Sequence, residues 1–84
     1  MNYYTLYDVV TGEYGVLFNA VNHDDVKRKL AFSQQSNPYI GDLKLFFVGE
    51  FDRDKGIIHC DKPEFLCNLS DIVEFDPNFG HRGE

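Results

Sequence analysis

The sequence predicts a small α+β domain, a β-β-α-β-β antiparallel sheet with one helix packed on it and a short C-terminal helix. Three observations lead there. Two runs rich in β-branched and aromatic residues flank a glycine-containing connection near the start. A strongly signalled helix start follows at Asn22. The most apolar run of the chain, residues 43–48, then lies between glycines and is followed by a polar turn and a shorter apolar run. With 84 residues there is room for one domain, placed at residues 1–76, and residues 77–84 read as a flexible tail.

Residues 3–10 form the first expected strand, and residues 16–21 its return. Gly12 and Gly15 between them suit a hairpin connection, because glycine takes positive φ without steric cost. The helix is expected from His23 to Gln35. Asn22 can cap it by accepting a first-turn N–H, and Asp24 and Asp25 sit where the helix dipole favours anions. Asp25 holds the capping-box position, and Val21 and Val26 are spaced for a hydrophobic staple. Val26, Leu30 and Ala31 should face the core, and Asn37 before Pro38 ends the helix.

Residues 43–48 read as a central strand ending by Phe51, with Gly49 marking a bulge or a close approach. Residues 57–60 return after a polar turn. Pro63 can open a helical turn, and Phe65, Leu66, Leu69 and Ile72 recur near helical spacing, which predicts the C-terminal helix. Leu30, Phe18, Leu45 and Phe47 are expected in one core. Aromatic residues make up 15% of the chain, and their large apolar area helps so small a core. Aromatic strand edges with unpaired backbone groups also favour a homodimer.

The net charge of −6, from 14 acidic and 8 basic residues, lacks the electrostatic footprint of a nucleic-acid binder. The one dense basic run is Lys27, Arg28 and Lys29. With Tyr14, Tyr39 or Phe32 nearby, it could hold a phosphate backbone weakly and stack bases; the plainer reading is a solvated helix face. Four acids, Glu64, Asp71, Glu74 and Asp76, occur near the C-terminus without a base among them, and form a candidate surface for a basic partner. Tyr3, Thr5 and Tyr7 share one strand face, which either meets a partner or packs under the helix.

Catalytic and metal chemistry find no support in the residues. Asp52, Asp54 and Gly56 resemble the start of a calcium loop, but Gly56 and Pro63 fall where the loop needs ligands, so a hairpin turn is the better reading. His23, His59 and His81 have no nucleophile or acid set around them in sequence. Cys60 and Cys67 make no zinc pattern and are expected to be free thiols. There is no expected cofactor, no signal peptide and no apolar run near the ~18 residues of a membrane span, so a cytosolic protein is expected.

One succession carries further information. It comprises Tyr4, Leu6, Tyr7 and Asp8; Gly12, Tyr14 and Gly15; Phe18, Ala20 and Asn22; Gly49, Glu50, Phe51 and Asp52 at the end of the apolar run; Gly56 and Ile57; and Pro63, Glu64, Phe65 and Leu66. Over about residues 3–69 it resembles the small nonstructural protein of gokushoviruses, the microvirus branch of small single-stranded DNA phages. Residues 36–42 look shorter here than in such relatives. The resemblance implies a non-enzymatic protein in the cytoplasm of the infected bacterial host. Its role there would be viral DNA replication and packaging, through phage or host replication and packaging proteins and weak contact with single-stranded DNA. The rival reading is an acidic inhibitor of a host nucleic-acid-binding protein.

Overall fold

The computed structural model describes residues 1–78, so His81 and most of the expected tail lie outside the described residues. The chain is a mixed α+β fold in which one helix packs on a curled antiparallel sheet. The strands are β1 (Asn2–Asp8), β2 (Glu13–Tyr14), β3 (Phe18–Ala20), β4 (Leu43–Asp52), β5 (Ile57–His59) and β6 (Glu64–Asn68), and the helix α1 (His23–Ser33) joins the two halves.

β1 and β4 lie at the centre and pair antiparallel from Asn2↔Glu50 to Asp8↔Leu43. Each outer position is filled by two short segments. β2 and β3 both pair with β1, and β5 and β6 both pair with β4. The expected return strand over residues 16–21 is therefore divided. Residues 15–17 leave the ladder, because the Thr5 hydroxyl donates to the carbonyls of Gly15 and Val16 at 3.2 and 3.1 Å and draws that stretch out of line. Val16 is left 81% exposed.

The expected C-terminal helix is corrected to a strand. Residues 64–68 pair with the free edge of β4, and a single 3-10 turn, Leu69–Asp71, follows. The spacing of Phe65, Leu66, Leu69 and Ile72 fits this arrangement as well as a helix. Strand pairing also satisfies a row of β4 backbone groups that a helix would leave bare. Leu69 and Val73 then fall into the core.

Alternation along β1 and β4 turns Tyr4, Leu6, Leu45 and Phe47 toward the helix. Tyr4, Leu45, Leu69 and Val26 are the largest fully buried side chains, and burying Leu45 alone is worth about 1.5–3 kcal/mol. Leu30 joins them, with Phe18 and Phe47 packed against the cluster, so the four expected core residues do meet. The helix begins as its sequence indicates. Asn22 Oδ1 accepts from the Asp25 N–H at 2.8 Å. The expected staple is absent, since Val21 is 68% exposed while Val26 is buried.

Gly49 occupies both of its expected roles. It lies at the register shift between Tyr3 and Tyr4, and its φ of +153° brings the chain so close to β5 that a Cβ would collide with the His59 carbonyl oxygen. Gly49→Ala should therefore cost more than about 1 kcal/mol in urea unfolding, because neither backbone can yield without breaking the β4–β5 ladder. A variant with an unchanged midpoint would show that β5 is not held this closely.

Candidate interaction surfaces

Asp25, Arg28 and Lys29 form one local network near the helix start. The Asp25 carboxylate accepts from the Val21 N–H at 3.1 Å, and it contacts the Arg28 guanidinium at 2.9 Å and Lys29 Nζ at 3.1 Å. The Val21 hydrogen bond, followed by that from Lys29, lowers the Asp25 pKa from 3.8 to about 2. Two of the three cations expected to meet phosphate are thus already engaged with a carboxylate. Lys27 projects at another angle, half-buried, and its charge acts on Cys67. The basic run is not a single free patch, because consecutive helical residues fan out by about 100°.

Tyr14 is not part of that region. It pairs with Tyr7 across β1 and β2, on the sheet face turned away from α1. The four acids are also divided. Asp71, Glu74 and Asp76 follow one another after β6, whereas Glu64 stands at its start, roughly 13 Å of strand from Asn68. The Asp76 N–H donates to the Gln35 carbonyl at 2.6 Å and ties this segment to the end of the helix.

His23 and His59 have structural partners. Tyr4 is wholly buried, and its hydroxyl lies 2.7 Å from His23 Nδ1 and 3.3 Å from Asn2 Nδ2. The Asn2 Nδ2 group can only donate, so the tyrosine oxygen accepts there. The His23 ring also packs on Phe47, with ring centroids 5.0 Å apart. His59 Nε2 meets Asp52 Oδ2 at 2.9 Å, while Asp52 Oδ1 accepts from the N–H groups of Asp54 and Lys55. These contacts, His59 first, lower the Asp52 pKa. They close the β4–β5 turn, with Gly56 at a φ of +72°, so the calcium-like pattern is a hairpin turn. Cys60 and Cys67 are free thiols, and burial pushes the Cys67 pKa up.

The feature that reading by segments passed over is an aromatic cluster on the outer sheet face. Tyr7 lies 4.8 Å from Tyr14 and 6.1 Å from Phe46, ring centroid to centroid. Phe46 lies 5.4 Å from Tyr14 and 5.7 Å from Phe65, and Lys44 Nζ stands 5.7 Å above the Phe65 ring. Tyr14 and Phe65 are each half exposed. The alternation that placed Tyr3, Thr5 and Tyr7 on one face was the available signal. Phe65 joins this face only because residues 64–68 form a strand rather than the expected helix.

Among known families, the model of the Phage ORF5 protein family matches residues 1–72. The chain belongs to the Phage ORF5 protein family. No curated protein and no solved structure matches it. The family places the chain among bacteriophage proteins and suggests a phage accessory protein. No helix among the described residues is long and apolar enough to cross a membrane.

The Asp25 network yields a prediction on stability. Asn22→Ala should destabilise the fold by about 1 kcal/mol, measured by urea unfolding at neutral pH. The lowered Asp25 pKa sets the sign with pH. Its contribution is complete above about 3.8 and is lost as pH falls through about 2. Asp25→Asn should remove that part of the acid dependence, and an unchanged acid profile in this variant would show that Asp25 is not the responsible group.

Proposed function

We propose that this phage protein is a nonstructural accessory factor of the gokushovirus kind. It acts without catalysis of its own in replication and packaging of a single-stranded DNA genome, in the cytoplasm of the infected host. Its means of action is contact with phage or host replication and packaging proteins. Membership of a phage ORF family supports the setting. The observation that carries the contact mechanism is the exposure of aliphatic side chains in the turn after β1 and in the break between β2 and β3. Val9, Val10, Val16 and Leu17 are 46%, 73%, 81% and 49% exposed, although the core of so small a domain would gain from burying them. Large apolar side chains left this exposed suit a partner surface.

The distribution of charge supports this reading over an acidic inhibitor. A phosphate mimic needs a continuous acidic track. Here Glu64 stands apart from the C-terminal acids, and Asp25 is occupied by two cations.

The test uses infected cells. Loss of the gene should leave double-stranded replicative DNA accumulating while packaged single-stranded DNA falls. A tagged chain should recover a replication or procapsid protein, and Val10→Asp with Val16→Asp should reduce that recovery at least about tenfold, the two changes together setting two charges in an apolar contact. Normal packaging without the gene would overturn the role, and undiminished recovery by the double variant would overturn the surface.

A further inference from the structure

We propose that the sheet face turned away from α1 is a stacking platform for unpaired bases of single-stranded DNA, with Lys44 meeting the phosphate backbone. The inference rests on the genome-handling role proposed above and assigns it a ligand and a surface.

The first support is the arrangement of rings. Tyr7, Tyr14, Phe46 and Phe65 form one contiguous group, with centroids 4.8 to 6.1 Å apart, that spans β2, β1, β4 and β6. A second pair, Tyr3 and Phe51, lies further along the same central strands at 6.1 Å. Thr5, between the two groups on this face, is buried with its hydroxyl on the Gly15 and Val16 carbonyls, so the platform is the four-ring group, whose three strand spacings, about 14 Å, hold roughly two or three stacked bases. Bases stack on aromatic side chains whatever their identity, so such a surface tolerates any sequence.

The second support is charge. The strand register turns Asp8, Glu13, Glu50, Asp52 and Glu64 to the helix side. Among the described strand residues, Lys44 is the one charged side chain on the aromatic face, where it pairs with Asn68 and stands over Phe65. An overall charge of −6 is thus compatible with a face that carries a cation and no carboxylate. The same pattern disfavours a second copy as the occupant. A like face docked on it would offer Lys44 no acid, whereas a nucleic-acid strand offers a phosphate for the cation and flat apolar surfaces for the rings.

Fluorescence anisotropy with a short labelled oligothymidine tests the platform on the full chain. Weak binding is expected, with a salt slope near −0.7, from about one phosphate contact. Tyr14→Ala and Phe65→Ala should each weaken it roughly tenfold, and Tyr14→Phe should bind as the parent does. Lys44→Ala should flatten the salt dependence, and the corresponding duplex should not compete. Circular dichroism checks that each variant is folded, and Tyr14, half exposed, serves where Phe65→Ala fails to fold. Four outcomes overturn the platform: no binding at low salt; binding that survives both aromatic substitutions but is lost on replacing Lys27, Arg28 and Lys29; preference for oligouridine; or a dimer in light scattering that Tyr14→Ala dissolves. If the platform fails while loss of the gene still blocks packaging, the proposed role stands through protein contacts. If binding is present but packaging is normal without the gene, the role falls and the platform remains.

Discussion

The antiparallel pairing of β1 with β4 is the constraint from which the other features follow, because it joins segments about 40 residues apart in a chain of 84 and decides which side of each strand meets the helix. Once Tyr4 stands opposite Phe47 and Leu6 opposite Leu45, every neighbouring strand inherits the same two-sided partition. One side takes Tyr4, Leu45, Val26 and Leu30 into the core. The other is left with Tyr7, Phe46 and their neighbours. A slip of one residue would exchange the two sets and bury Lys44 without a partner. The register shift at Gly49 lets β4 run on to β5 past the point where a side chain would block it.

The helix is held to this sheet by polar contacts that are as specific as the packing. Tyr4 brings a hydroxyl into a fully buried position, and Asn2 and His23 meet it there. An unpaired hydroxyl at that depth would offset much of the gain from burying the ring. Asp25 does the same at the chain entry to the helix, where it takes the Val21 N–H while its own N–H goes to Asn22. The reciprocal bond therefore falls one residue earlier than in the usual capping box. This leaves Val21 outside the core, which accounts for the missing staple.

The parts of the fold legible in the sequence were those decided locally. The Asn22 cap, the turn at Gly12, the central strand at residues 43–48 and the Asp52 turn all depend on residues within a few positions of one another. The parts that were not legible depend on distant partners. Nothing local in residues 63–72 reports that β4 has an unfilled edge, and apolar residues at such short spacing suit a strand and a tight turn as well as a helix. The division of the return strand likewise comes from Thr5, ten residues from the carbonyl it engages at Gly15. For the candidate surfaces the loss is similar. Composition reported three adjacent cations, but only the fold reports that Asp25 already holds two of them.

The two proposed surfaces are physically compatible in a small acidic protein. Burial of aromatic area is the cheapest route to stability in a short chain, yet a sheet covered on one side by a single helix cannot bury every ring. The rings left over gather on the uncovered face, where mutual contact removes part of their area from water. They remain half open at Tyr14 and Phe65. The acids of the strands are turned to the other side of the sheet, and Asp71, Glu74 and Asp76 lie along the C-terminal segment. Solubility and an aromatic face free of strand carboxylates therefore do not compete for the same positions. Val9 and Val10 lie just past the end of β1 and Val16 lies beside Thr5 in its middle, so a protein held at these residues and a strand laid across the rings would occupy adjoining parts of one domain.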